Sequence, residues 1–418
     1  MIEKKYHSIV IGGGAAGLSA AYEISKSGFS VALIEREESL GGILMQCIHN
    51  GFGLQEYKEE LTGPEYAERA IAKMAGSGVE IITSTTVSDL IDENGTKTAH
   101  CYSAVHGALK LGADTIVLAM GCRERNRGNI GTAGTRPAGI FTAGSAQRLI
   151  NIEGFIPGKR VVIIGSGDIG LIMARRMTWV GAKVLAVVEI LPYASGLTRN
   201  ITQCLNDFNI PLYTSHIVSR IYGHDRVEKV DITPLVDGAP QDEDTFSIEC
   251  DTILLSVGLI PENELSCKIG VEINQDTKGP YVHSNYMTNV KGVFACGNVL
   301  HVHDIVDFVT EEARRCAVNV VDYLRRKILP TEFRIQPGAN VIYLVPNHYV
   351  PGEEINLYLR TFIVKNNAQL IVETSDKVVL EKKLLHVRPS EMIKVRIGEK
   401  DLARLSADEF KDLKVSIV

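Results

Sequence analysis

The chain has 418 residues, 45% of them hydrophobic and 22% charged, with a formal net charge of −6. That composition suits a globular protein of two or three domains, and the acidic balance argues against a nucleic-acid partner, which needs a basic face. No apolar run reaches the about 18 residues expected of a membrane-spanning helix. The apolar stretch Ser8 to Ala21 carries glycines, has only a weak basic lead and lacks the cleavage pattern of a signal peptide, so a cytoplasmic location is expected.

The first elements read strand, glycine turn, helix, strand: His7 to Ile11, Gly12 to Gly17, Leu18 to Ser27 with Gly28 as the stop, and Val31 to Ile34. Gly12, Gly14 and Gly17 form a GxGxxG. The first glycine permits the tight turn, the second lets the backbone approach a pyrophosphate, and the third lets helix pack on strand. Glu35 ends the next strand, where a carboxylate can hold the ribose hydroxyls of an adenosine. Gly41-Gly42 opens the stretch GGILMQCIHNGFGL, and Glu56, Glu59 and Glu60 after it read as a solvated helix face. Asp114 to Gly121 is an apolar strand ending on glycine. Arg123, Arg125 and Arg127 follow it and suit either a contact with phosphate, substrate or partner, or a charged hinge.

The layout then repeats. Arg160 to Ile164 is a strand, Gly165, Gly167 and Gly170 are a second fingerprint, a helix runs through Val180, and the strand Lys183 to Val188 leads to Glu189. DTILLSVG, ending at Gly258, echoes DTIVLAMG, ending at Gly121, so two copies of one architecture are present. Glu189 would repel a 2′-phosphate, and no Lys or Arg follows it before Arg199, which favours NADH over NADPH. Arg175 and Arg176 read as a solvated or packing face of the intervening helix. Gly292 to Asn298 is another strand with a glycine turn, and a helix is expected from Ile305 to Lys327, closed by Pro330. This piece is too short for a domain and is expected to complete the first Rossmann unit. From Gln336 the texture changes to strands at Asn340–Val345, Asn356–Phe362, Gln369–Glu373, Lys377–Leu385, Met392–Ile397 and Leu413–Val418, a small β-sandwich.

Two dinucleotide sites in one chain need different occupants. Flavin accepts a hydride and releases single electrons, so a tightly held FAD facing a transient NAD(H) is the economical assignment. On both fingerprints, Gly41-Gly42, the strand ends at Gly121 and Gly258, and the run Val293 to Asn298, the chain resembles the two-dinucleotide-binding-domain flavoproteins of the pyridine nucleotide–disulfide oxidoreductase superfamily over about residues 5 to 328. The resemblance implies an α/β fold of two Rossmann-like domains, the second inserted in the first. The FAD domain would be 1–124 with 259–330, the NAD(H) domain 125–258, and the appended β-rich domain 336–418. For FAD it implies contacts from Gly12, Gly14, Ala15, Ala16 and Gly17, from Glu35, Arg36, Gly41 and Gly42, and from Val87, Ala119 and Gly121. Gly297, Asn298, Asp304 and Ile305 complete that set, the backbone at Thr86 and Val87 reading adenine and the helix from Ile305 aiming its N-terminus at the flavin pyrimidine. For NAD it implies Gly165, Gly167, Asp168, Ile169, Gly170, Glu189 and Gly258.

Two departures from the superfamily stand out. Asn298 replaces the usual Asp beside the ribitol, where its carbonyl still accepts a hydroxyl hydrogen bond. The eight cysteines lie no closer than 17 positions apart, so there is no CxxC, and Thr142 to Ala146 stands where thioredoxin-reductase-like members place theirs. No internal dithiol is therefore expected to receive electrons. Cys47 could cycle as a single redox thiol through a sulfenic acid, or line the flavin pocket as a small hydrophobe, and its offset from the position used by peroxide-reducing relatives favours the second. His301 and His303 alternate on an extended segment, but no third ligand is evident nearby. Pocket lining or a proton relay, with His303 the candidate catalytic imidazole, is expected there and a metal is not, and the same holds for His49.

GGILMQCIHNGFGL, LTGPEYA, GIFTAGSAQ and GNVLHVHDIVDFVTEEA resemble a narrower, disulfide-less subgroup that pairs with glycerol-3-phosphate dehydrogenase-like flavoproteins and a small cysteine-rich protein. They are also similar to α subunits of sarcosine oxidase, opine oxidase and cyanide synthase type. This implies an FAD-dependent NADH:acceptor oxidoreductase subunit exchanging electrons with a partner flavoprotein or iron–sulfur subunit, in an oligomer or hetero-complex. A stand-alone NADH oxidase or peroxidase, with or without Cys47, and a non-catalytic NADH-responsive binding protein remain as alternatives.

Overall fold

The computed structural model describes residues 2–326, 332–402, 405 and 411–418. The expected helix end at Lys327 and its Pro330 stop lie outside them. Two compact units are present, one of 1–122 with 261–418 and one of 123–260.

In the first unit, the strands Glu80–Ile82, Val31–Ile34, Ile2–Ile11 and Gly107–Leu118 run parallel side by side, with Val293–Ala295 parallel to the end of Gly107–Leu118. Thr96–Ser103 and Thr85–Glu93 continue the same sheet antiparallel. The strand Gly107–Leu118 records both environments. Its first half alternates buried Leu109, Leu111 and Ala113 with more exposed neighbours, whereas Thr115 to Leu118 are all buried. An antiparallel margin has one wet face, while a parallel sheet is covered on both. The helices Ala15–Lys26 and Val306–Arg326 pack together on this core, where Tyr66 Oη and Thr310 Oγ1 meet at 2.7 Å.

The same unit carries two further sheets at its C-terminal end. One orders His348–Tyr349, Phe333–Pro337, Leu413–Ile417, Lys365–Glu373 and Val378–Val387, and the other Val341–Val345, Ile355–Thr361 and Ile393–Ile397. Leu344, Leu357, Leu359, Val395 and Ile397 from the second share a buried core with Leu370, Val372, Val415 and Ile417 from the first, which makes the pair a sandwich.

The second unit places Ile140–Thr142, Thr252–Leu255, Arg160–Ile164, Lys183–Glu189 and Leu212–Thr214 in a parallel sheet. Helices Ala143–Asn151 and Asp168–Trp179 cover one face. A second, mainly antiparallel sheet built on His216–Tyr222 and Lys229–Val236 covers the other, so each face of the parallel sheet has its own core. Among the described residues no helix is long and apolar enough to cross a membrane.

Candidate functional site

In the first unit the carboxyl ends of the parallel strands bring Gly12 to Gly17, Glu35, Ala119 to Gly121 and Gly297 together, as expected of a ligand crevice in an open α/β sheet. Each fingerprint glycine has a distinct steric reason. A Cβ on Gly12, where φ is +109°, would lie 2.4 Å from Ala119 O, and one on Gly17 would lie 1.7 Å from Gly12 O. A Cβ on Gly14 would meet nothing within 4 Å. Gly14 is also the cap of Ala15–Lys26 and no side chain caps that helix, so its first N–H groups face open space suited to a pyrophosphate. Gly41 N donates to Gly13 O at 2.9 Å, and a Cβ on Gly42 would come within 3.1 Å of Gly14 Cα, so this second glycine pair leans on the first turn. Glu35 is buried and accepts Gly13 N at 2.6 Å and Glu37 N at 2.9 Å. A carboxylate accepts about four hydrogen bonds, so two places remain for a ribose diol. The residues present thus fit an adenine dinucleotide such as FAD. Thr85 N donates to Glu35 O at 3.0 Å, which sets the start of the strand carrying Val87 beside that carboxylate. Arg36 is exposed and lies 3.8 Å from Glu37.

Several expectations are revised by the geometry of the 297–307 segment. The Asn298 carbonyl already accepts His303 N at 3.0 Å, leaving one lone pair for any ribitol hydroxyl. Asp304 is held by the sandwich, its carboxylate pairing with Arg360 and accepting Met392 N at 2.6 Å, so its side chain serves that anchorage rather than a cofactor. Ile305 precedes the helix, which begins at Val306, and in its first turn Asp307 accepts Gly53 N, Gln55 N and Glu56 N at 3.2, 3.0 and 2.7 Å. The helix start is thereby tied to the GGILMQCIHNGFGL strip. Glu56 belongs to a turn and not to a helix face, and it pairs with Arg314 and, at 3.5 Å, with Lys73.

His303 sits away from solvent in a cluster that the sequence left incomplete. His301 Nε2 lies 2.9 Å from Glu312 Oε2, and His303 Nε2 lies 3.2 Å from Glu312 Oε1. The third group is thus Glu312, one helical segment further along, whose Oε1 also accepts Gly297 N at 2.6 Å. All three side chains are fully buried, and burial together with the neighbouring His303 pulls His301 down to about 4. His283, Glu332 and His348 form a second, half-buried cluster.

Cys47 Sγ donates to Ile43 O at 3.3 Å, and burial pushes the thiol up to about 12, which keeps it protonated. None of the eight cysteines is in a disulfide. Cys296 and Cys316, 20 positions apart in sequence, are both buried in the core, near enough that Cys296 adds to the burial that raises the Cys316 thiol, a neighbour relation that spacing rules do not reveal.

In the second unit the pattern recurs with one difference. A Cβ on Gly165, where φ is +95°, would lie 2.1 Å from Ser256 O, one on Gly170 2.7 Å from Gly165 O, and one on Gly167 no closer than 3.8 Å to anything. The turn is therefore open at its middle glycine, again at a helix N-terminus without a side-chain cap. Glu189, by contrast, accepts Ser166 N at 2.9 Å, Ser166 Oγ at 2.5 Å, Ser195 Oγ at 3.1 Å and Leu191 N at 3.0 Å. Asp168 accepts Leu197 N at 2.8 Å and Asn200 Nδ2 at 2.7 Å, so the 191–200 loop is drawn onto the turn beside Ile169. Ser166 and Ser195 were not anticipated, although hydroxyls flanking an acidic strand end are a usable signal. Gly258, at φ +98°, accepts Arg125 N at 2.9 Å. The Arg127 guanidinium satisfies the carbonyls of Thr132, Ala133, Gly134 and Thr135, which makes it a structural brace. Arg175 stacks on Trp179, 4.7 Å from the ring centroid, and Arg176 donates to Asn151 Oδ1 at 2.8 Å, so both belong to a packing face. Thr142 caps Ala143–Asn151 through Ser145 N at 3.3 Å.

The family described as pyridine nucleotide-disulphide oxidoreductase matches residues 6–318. An opine oxidase subunit of Agrobacterium tumefaciens is 26% identical over 316 residues, covering 70% of this chain and 61% of that protein. Hydrogen cyanide synthase subunit HcnB of Pseudomonas protegens is 25% identical over 295 residues, covering 65% and 60%. This chain therefore spans about three fifths of the length of those two relatives. Thioredoxin reductase of T. acidophilum superposes with a TM-score of 0.63 at 23% identity, covering 76% of this chain and 98% of that one.

Proposed function

Because the chain belongs to the pyridine nucleotide-disulphide oxidoreductase family, whose members bind FAD and NAD(P)H, we propose that it is an FAD-dependent NADH:acceptor oxidoreductase that exchanges electrons with a partner redox subunit inside a dehydrogenase complex of glycerol-3-phosphate dehydrogenase type. The observation carrying this reading is the pairing of two open glycine cradles with eight cysteines in no disulfide, among them no redox-motif pair and a Cys47 thiol held protonated. Both relatives above are named as subunits, which supports an acceptor on another chain.

FAD, when bound, supplies the conversion between two-electron hydride chemistry and single-electron release. The chain's own contribution is binding and orientation. Gly14 and the uncapped start of Ala15–Lys26 receive the pyrophosphate, and the two open positions of Glu35 hold the adenosine ribose. Gly167 and the start of Asp168–Trp179 do the same for NADH, and Glu189 disfavours a 2′-phosphate. Hydride transfer needs close approach and alignment more than side-chain acid–base work, so no titrating residue is required for it.

Anaerobic titration of the purified flavoprotein tests the proposal. NADH should bleach the flavin absorbance, with NADPH much slower. A flavin that stays oxidised with both would sink the reading. Oxygen uptake matching turnover with an artificial acceptor would favour the stand-alone oxidase, and co-purification of a second redox subunit from the native host would favour the complex.

A further inference from the structure

The His301, His303 and Glu312 cluster has a deficit that protein groups alone do not remove. Glu312 is a fully buried carboxylate, and among the described residues no Lys or Arg forms an ion pair with it. Three ring nitrogens beside it, His301 Nδ1 and both nitrogens of His303, have no hydrogen-bond partner, because His303 Nε2 is near Glu312 Oε1 but not aligned with it. A buried anion and an unpaired His303 Nε2 facing it are each unfavourable, and a cation held by Glu312, His301 Nε2 and His303 Nε2 relieves both at once, leaving the two Nδ1 atoms outside it. One ligand atom from each of the three residues lies within 4.8 Å of the others. Around a tetrahedral ion with bonds of roughly 2.0–2.2 Å, such atoms sit roughly 3.3 Å apart. The observed 2.9 and 3.2 Å separations run to the two different oxygens of Glu312, so an ion taking one of them needs the carboxylate to turn as well as a small opening.

We infer that His301, His303 and Glu312 bind a divalent transition-metal ion, zinc being the best match, as a buried three-ligand site whose fourth position falls to a water. Two imidazoles and one carboxylate form a donor set that suits zinc or iron(II), whereas calcium and magnesium want mostly oxygen. The site is walled by Tyr358, whose ring centroid is 5.4 Å from that of His301 and 5.2 Å from that of His303. Tyr358 belongs to the sandwich strand Ile355–Thr361, so the ion would lock the 297–304 loop onto helix Val306–Arg326 beneath that strand. Glu312 also accepts Gly297 N, so the ion would stand one residue behind the glycine turn without belonging to either nucleotide cradle.

The test uses tag-free flavoprotein purified without chelator, supplied with zinc and gel-filtered. Elemental analysis should find about one zinc per chain. His303→Gln should lower zinc affinity at least about tenfold, whereas His283→Gln, in the half-exposed cluster, should not. Chelator should lower the thermal midpoint of the wild-type protein, with zinc but not magnesium restoring it. Zinc below about a tenth of an equivalent, or a midpoint indifferent to chelator, would overturn the inference and leave a water or bare nitrogens in the cluster. Zinc that leaves with His283→Gln and survives His303→Gln would overturn it too. Should His303→Gln fail to fold, the wild-type chelator experiment decides.

Discussion

Ser195 Oγ donates to Glu189 Oε2 at 3.1 Å, and this bond helps fill the carboxylate proposed to hold the ribose of NADH. With Ser166 N, Ser166 Oγ and Leu191 N, Glu189 reaches the about four hydrogen bonds a carboxylate can accept. Glu35 in the other cradle accepts two. Each Glu35 oxygen carries one donor, whereas Glu189 Oε2 is crowded by three and only Oε1, with Leu191 N alone, keeps a place, so a ribose diol meets competition on one side of Glu189. Replacing Ser195 with Ala should remove that competition. We expect the KM for NADH to fall roughly fivefold, the worth of about one hydrogen bond, with FAD content unchanged. A rise in KM would mean that Ser195 itself contacts the nucleotide.

The fingerprint glycines of the first unit should fail in different ways. Gly14→Ala places a methyl group in open space, so the chain should fold with a wild-type circular dichroism spectrum yet purify with little FAD. Gly17→Ala drives its methyl group against Gly12 O at 1.7 Å and should give insoluble or strongly destabilised protein. Equal behaviour of the two variants in both measurements would contradict the assignment of Gly14 to the pyrophosphate.

Cys47 should be a slow nucleophile. Its thiol is raised by burial to about 12, so the thiolate grows as pH rises and is scarce at neutrality. The alkylation rate of Cys47, followed by peptide mass spectrometry, should climb about tenfold per pH unit through the neutral and mildly alkaline range. Cys47→Ser should leave anaerobic flavin reduction by NADH unchanged. A fast, pH-independent alkylation at pH 7 would restore the redox-thiol alternative.

Asp304 and Arg360 join the 297–304 loop to the sandwich. Asp304→Asn leaves the Arg360 guanidinium partly buried without its counter-ion and should cost about 2 kcal/mol, since the carboxylate is itself 32% exposed. A thermal midpoint several degrees lower is expected. A double-mutant cycle with Arg360→Met should recover most of that loss, and strictly additive losses would show that the pair is not coupled.

Much of the architecture was legible because it is local. A glycine turn between an apolar strand and a helix is written in adjacent residues, and so is the acidic end of the following strand, which is why Gly12 to Gly17, Glu35, Gly165 to Gly170 and Glu189 could be placed from their own short windows. Of the strand Gly107–Leu118, only the apolar end from Asp114 was read from its own window, and the alternating half before it was not. The turn at Glu56 was misread as a helix face because three acidic residues in a row of five carry no information about the Arg314 that draws one of them inward.

The sequence by itself determined that two dinucleotide cradles exist and that no cysteine motif follows them, because both are properties of short windows and spacings. Only the tertiary structure decided which polar groups are already spoken for. Arg360 reaches Asp304 from 56 positions away, Glu312 gathers two histidines and Gly297 N, and Ser195 returns to Glu189 over its own loop. Each of those pairings arises when separate elements close on one another and buried polar groups must find partners among whatever the packing brings near.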